Sequence, residues 1–264
     1  MAHIPRKRFG QHFLHDPGIL RKIVQAIAPQ RGDDVVEIGP GEGALTLPLL
    51  RELGRMTVIE LDRDLVPRLR AAAEGIGDLD IVNADVLTVD FSALPRRGPL
   101  RIVGNLPYNI SSPILFHCLD HIDAIRDMHF MLQKEVVERM AAAPGSKVYG
   151  RLSVMLQLVC RVEPLLRVPA GAFRPPPKVE SAVVRLTPRA ESERPTTDTG
   201  LLADIVRAAF GQRRKTLSNA LSSIANAEEI ARAGVDPRAR AEQLSPSAFV
   251  ALAHVVQARR NTEG

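Results

Sequence analysis

Tryptophan is absent from this chain of 264 residues, and only two tyrosines are present. So few flat side chains exclude a broad platform for stacking successive bases, and a nucleic-acid partner would have to be held by charge and shape. Cysteine is equally scarce: Cys118 and Cys160 stand alone, without the paired spacing of a metal site. Two isolated thiols are no disulfide framework, so reduced cysteines, no metal and a cytoplasmic protein are expected. No apolar run reaches the roughly 18 residues needed to span a bilayer. The first ten residues are basic but lack the apolar segment of a secretory signal, so no membrane is expected among the partners.

What is present is an ordinary globular composition, 45% hydrophobic and 25% charged, long enough for a main domain and a smaller one. The formal charge is +5 and the sequence pI about 9.6, which favours an anionic partner such as nucleic acid. The excess is uneven. Arg6, Lys7, Arg8, Arg21, Lys22 and Arg31 face the single acid Asp16 near the start, and Arg213-Arg214-Lys215 form a second cluster.

Read in order, Asp16-Pro17 signals the start of a helix over 19–28, and Val35-Val36-Glu37-Ile38 reads as a short buried strand. The spacing predicts further strands over 56–60, 79–82, 100–103 and 128–132, separated by helices after residues 45, 63 and 111. Such alternation means a parallel, doubly wound α/β sheet. Helices over 135–142 and 152–159 precede two late strands, 164–167 and 181–186, which flank the loop Phe173-Arg174-Pro175-Pro176-Pro177-Lys178. The division expected is a catalytic domain over 1–188, a linker over 189–200 rich in Pro, Thr and charge, and short amphipathic helices over 201–264.

Glu37-Ile38-Gly39-Pro40-Gly41-Glu42-Gly43 lies between a strand and a helix, where glycines let the backbone turn sharply and a ligand approach. Glu60 ends the next strand, where a carboxylate can accept both hydroxyls of a ribose. Gly39, Gly41 and Ala44 also satisfy a dinucleotide fingerprint, so an NAD-linked oxidoreductase is a rival reading. Glu37 and Asp85 favour S-adenosylmethionine instead. The first puts a carboxylate where a cationic amino acid end could lie, and the second ends a strand where it can accept from an adenine amine.

Ile102-Val103-Gly104-Asn105-Leu106-Pro107-Tyr108 is the stretch around which the chain is organised. An exocyclic amine is a poor nucleophile because its lone pair is delocalised into the ring. Two acceptors aimed at its hydrogens favour the pyramidal nitrogen that attacks. Asn105 can supply one through its side-chain oxygen. The Leu106 carbonyl can supply the other, since Pro107 biases residue 106 toward an extended conformation and adds no competing N–H. Tyr108 would then stack on the base.

Gly10-Gln11-His12-Phe13-Leu14, the Glu37–Gly43 loop, Asn83-Ala84-Asp85, Asn105–Tyr108, Phe173–Val179 and Phe210-Gly211-Gln212-Arg213-Arg214-Lys215-Thr216-Leu217 follow one another in this order. Together they resemble the ribosomal RNA adenine dimethylase family, its bacterial 16S ribosomal RNA adenine-N6,N6-dimethyltransferases in particular. The related 23S ribosomal RNA methyltransferases of macrolide resistance share the catalytic motifs, and the 210–217 segment with the helical tail favours the small-subunit enzymes. The resemblance implies a Rossmann-like, S-adenosylmethionine-dependent methyltransferase sheet with a small all-helical C-terminal domain. It implies a cofactor pocket of His12, Leu14, Gly39, Glu60, Asp85 and Asn105, to which the residues themselves add Glu37 and Gly41. It also implies an adenine flipped between Tyr108 and Phe173, the latter expected as an exposed ring on a stiff loop. The substrate implied is 16S rRNA within a small ribosomal subunit or its precursor; a monomer is expected, with the basic residues at 6–8, 21–22 and 213–215 holding phosphates. A ribosome-assembly factor whose binding outweighs its chemistry is the remaining alternative.

Overall fold

The apolar runs of the sequence become a seven-stranded sheet in a computed structural model that describes residues 12–212 and 214–263. In chain order the elements begin with β1 (Phe13–Leu14), α1 (Pro17–Ile27), β2 (Val35–Ile38), α2 (Thr46–Leu53) and β3 (Arg55–Ile59). Next come α3 (Val66–Ala73), β4 (Asp78–Val82), β5 (Leu100–Asn105), α4 (Ser111–Asp120) and β6 (Ile125–Gln133). Then follow α5 (Lys134–Met140), α6 (Arg151–Val159), β7 (Cys160–Val168), β8 (Phe173–Arg174) and β9 (Ser181–Pro188). The chain ends in α7 (Thr199–Gly211), α8 (Leu217–Ala220), α9 (Ala227–Arg232) and α10 (Pro246–Glu263).

The strand order is β4-β3-β2-β5-β6-β9-β7, and β2 to β6 pair in parallel. β9 runs antiparallel to β6 and so departs from the parallel pattern. Every residue of β2 is buried, as a strand covered on both faces must be. The order reverses between β2 and β5, and in such sheets a crevice opens at that point beyond the carboxyl ends of the strands. Local chemistry sets the edges of this layout. The Asp16 carboxylate accepts from the N–H groups of Gly18 and Ile19 at 2.8 and 2.9 Å and so starts α1. Gly54, at φ 77°, ends α2.

The foot of β5 is pinned by a buried guanidinium. Arg101 donates to both oxygens of Asp127 at 3.0 Å, to Asp33 at 2.8 Å and to the Ile27 and Ala28 carbonyls at the end of α1. Burial pushes the Asp127 carboxyl up, but the His129 ring and Arg101 outweigh it and hold the pKa at about 2. The strand carrying Asn105 is thereby fixed at the end opposite the crevice.

The chain divides into two compact units. Among the described residues, one takes those up to Val137 with Glu163–Pro188, the other Glu138–Val162 with those from Arg189 onward. The division expected from the sequence puts 138–162 in the catalytic domain. In the structure Tyr149, Val154 and Leu158 share one buried cluster with Leu202, Ile205, Phe249 and Val256, so α6 belongs with the C-terminal helices. The supposed linker also carries structure: a short 3-10 turn over Glu191–Glu193, and Asp198, which caps α7 by accepting from Gly200 and Leu201.

Candidate active site

A cavity of about 1010 Å³ opens in the first unit beyond the carboxyl ends of β2, β3 and β5. The loop after β2 lines one side. Gly39 and Gly41 take φ of 67° and 58°, which L side chains rarely adopt. A Cβ on Gly41 would come within 2.9 Å of the Phe13 ring, so this loop accepts no side chain there without displacing that ring. Phe13, from the Gly10–Leu14 motif, is thus part of the wall.

Two carboxylates stand at the strand ends. Glu37 is 2% exposed and accepts a 2.6 Å hydrogen bond from the Thr46 hydroxyl in the first turn of α2. Burial pushes its pKa up to about 7, Thr46 pulls against this, and the Glu60 charge adds to it. Glu60, at the end of β3, accepts from the Gly41 N–H at 3.1 Å and the Asp62 N–H at 2.8 Å. Burial raises its pKa as well, against those two bonds. A carboxylate has about four lone-pair sites, so Glu60 keeps capacity to accept from a ligand hydroxyl. Asp85 is exposed and begins a short 3-10 turn by accepting from Leu87 at 3.0 Å. Leu61 and Leu87, 51% and 38% exposed, give the rim beside Glu60 and Asp85 two apolar side chains.

The opposite wall is the end of β5. The Asn105 amide N–H donates to the His12 carbonyl at 3.0 Å, which leaves its Oδ1 as the free end of the amide. The His12 ring nitrogen Nδ1 lies 2.8 Å from the Pro175 carbonyl, and its ring lies over Tyr108 with centroids 5.8 Å apart and planes 28° from parallel. Tyr108 is half-buried, its hydroxyl 2.7 Å from Ser181 Oγ. Burial raises the Tyr108 pKa and the Ser181 bond lowers it. His129, buried on β6 with Nδ1 3.3 Å from Asp127, also lines the cavity.

A family model described as "Ribosomal RNA adenine dimethylase" matches residues 2–258. The chain belongs to this family. It is 61% identical over 250 residues, 95% of each chain, to "Ribosomal RNA small subunit methyltransferase A" of Xanthomonas campestris pv. campestris (strain B100). It is 62% identical over the same span to the protein of that name from Xanthomonas axonopodis pv. citri (strain 306). Among solved structures, a dimethyladenosine transferase from Plasmodium falciparum is 28% identical with a TM-score of 0.80, covering 91% of this chain and 96% of its own. The 23S rRNA methyltransferase ErmE is also 28% identical, with a TM-score of 0.70 over 93% and 99%. The chain is therefore an S-adenosylmethionine-dependent methyltransferase of the dimethylase family, and the oxidoreductase reading of its glycine loop gives way.

The residues fit that cofactor: glycines leave room for a close approach, Glu37 can face a cation, and Glu60 and Asp85 can accept from hydroxyls and an amine. His12, Leu14, Glu37, Gly39, Gly41, Glu60, Asp85, Asn105, Leu106, Pro107 and Tyr108 all line the one cavity. Phe173 is the correction. Instead of an exposed ring on a loop, it is 2% exposed and packs with Leu14, Val168, Ala172 and Val183. The reason is a two-stranded ribbon the sequence did not reveal. Phe173 pairs with Leu14 and Arg174 with Phe13, and alternation sends Phe173 inward and Arg174 to the cavity rim. Arg214 and Lys215 are exposed in the turn before α8, in the second unit. Arg6, Lys7, Arg8 and Arg213 lie outside the described residues.

Proposed function

We propose that the protein dimethylates the N6 amines of two adjacent adenosines near the 3′ end of 16S rRNA, acting as a monomer on a small ribosomal subunit or its precursor in the cytoplasm, and so takes part in small-subunit biogenesis. The observation that carries this reading is the meeting of the Asn105-Leu106-Pro107-Tyr108 run with the glycine loop and its carboxylates on one cavity.

S-adenosylmethionine supplies, when bound, a methyl group on a cationic sulfur that an amine can take directly. Asn105 and Leu106 hold the amine. Because the His12 carbonyl takes the Asn105 N–H, the amide oxygen is turned to accept from one N6 hydrogen, and the Leu106 carbonyl accepts from the other. Held in this way, the N6 nitrogen would present its lone pair out of the ring plane toward the methyl that the bound cofactor would supply. The proton leaves N6 to water. No group of the chain needs to bond covalently to the methyl, so holding and electrostatics set the rate. Tyr108 stacks on the flipped base. Phosphates are held by Arg6, Lys7, Arg8, Arg213, Arg214 and Lys215, with binding that weakens steeply as salt rises.

The test is methyl transfer from labelled S-adenosylmethionine to small subunits lacking the modification. The native protein should transfer, and Asn105→Ala, still folded and still binding cofactor, should not. No transfer by the native protein would overturn the function, and near-normal turnover by the variant would overturn the role of Asn105.

A further inference from the structure

We propose that Ser181 is a positioning residue that fixes the tilt of the Tyr108 ring, and that this matters more for the second methyl transfer than for the first. The inference rests on the function proposed above. Tyr108 belongs to the turn after β5, not to the sheet. Its backbone carbonyl accepts from Ser111 Oγ at 3.2 Å, which holds the main chain, and the His12 ring lies over one face at 5.8 Å without a hydrogen bond to set the ring's angle. At the far end of the ring the hydroxyl meets Ser181 Oγ at 2.7 Å, the usual length of a good O–H···O bond.

Ser181 is well placed to act as a fixed point. It is fully buried, and it opens β9, where it pairs with Gln133 at the end of β6. The backbone bond from Lys134 N–H to the Glu180 carbonyl, at 3.0 Å, closes the same end of the ladder. A small hydroxyl with one rotatable bond, rooted in the sheet, therefore ties the ring on the turn to the rigid part of the unit.

The second transfer depends more on this tie for a reason of simple counting. Unmodified adenine offers two N6 hydrogens to the two acceptors, Asn105 Oδ1 and the Leu106 carbonyl. After one transfer a single hydrogen remains, so one acceptor loses its partner and the base is held by fewer hydrogen bonds. Stacking on Tyr108 then carries a larger share of the positioning. A ring free to tilt would release or misplace the singly methylated base more than the unmodified one.

The test compares the native protein with Ser181→Ala, Ser181→Thr, Tyr108→Phe and the Ser181→Ala/Tyr108→Phe pair on small subunits lacking the modification. The readout is the ratio of N6-methyladenosine to N6,N6-dimethyladenosine at matched total methylation, with cofactor affinity and thermal unfolding measured alongside. Ser181→Ala should raise the ratio about five- to tenfold, the equivalent of one lost hydrogen bond, with cofactor affinity unchanged. Tyr108→Phe, which removes the same bond from the other side, should match it and stands in should Ser181→Ala fail to fold. The pair should do no more than either alone, and Ser181→Thr, which keeps the hydroxyl, should restore the native ratio. A native ratio in Ser181→Ala, or effects of the two changes that multiply, would overturn the inference. Failure of the native protein to make dimethyladenosine would overturn the function beneath it.

Discussion

The Glu37 carboxyl is buried against a hydroxyl and faces a second acid, so its charge is unwelcome in the folded cofactor-free protein. Its pKa is about 7, against an ordinary value of 4.5 in an open chain. Below that ordinary value both states hold the proton and its contribution is fully present. As pH rises toward 7 the unfolded chain gives the proton up and the native one keeps it, so stability falls by at most about 3 kcal/mol and is then level. Glu37→Gln mimics the neutral acid and should flatten that part of the profile when unfolding is measured in urea at pH 5 and pH 8. A slope unchanged by the substitution would contradict the assignment. The same residue shows what single positions of a sequence disclose. Glu37, Glu60, Asp85 and Asn105 could be brought together from the sequence because each stands at or near the carboxyl end of a strand, where such sheets open a crevice, and all four line the cavity. Phe173 was misread because an aromatic before three prolines looks exposed. Whether it is depends on Phe13 and Leu14, some 160 residues away, pairing with it. Ser181 gives no signal at all, since a serine opening a strand is ordinary.

At the scale of elements, β2 and β5 approach each other more closely at their ends than side chains permit. A Cβ on Gly104 would lie 2.6 Å from the Ile38 carbonyl oxygen, a backbone atom that cannot step aside. Gly104→Ala should therefore cost about 1–3 kcal/mol, as overpacking in a close-packed interior does, and weaken cofactor binding, because Ile38 leads directly into Gly39. Gly171→Ala, where a Cβ meets nothing within 4 Å, is the control and should unfold at the native temperature. Equal unfolding temperatures for Gly104→Ala and the native protein would contradict this close approach. The strands and helices themselves were readable from periodicity: β2 falls on Val35–Ile38 as expected, and α1 within two residues of its expected start. What periodicity could not give was partnership. The antiparallel placing of β9 and the two-residue ribbon of β1 and β8 depend on contacts between distant segments, and a ribbon so short has no period to detect.

The molecule divides into two compact units, and the second is assembled from non-consecutive sequence. Composition marks the boundary near residue 189 well, since charge and proline replace apolar periodicity there. It cannot show that α6 packs with the later helices, because an amphipathic helix reads the same whichever core its face enters. What the site can do is set by the first unit, where eleven residues expected from the sequence line one cavity. Which RNA it acts on is the claim most directly open to test. Small subunits lacking the modification would be incubated with the full chain and S-adenosylmethionine, and the 3′ fragment of their 16S rRNA digested and examined by mass spectrometry. Two neighbouring adenosines, each carrying two methyl groups on N6, are expected. Methylation elsewhere in the RNA, or none despite cofactor binding, would contradict the account.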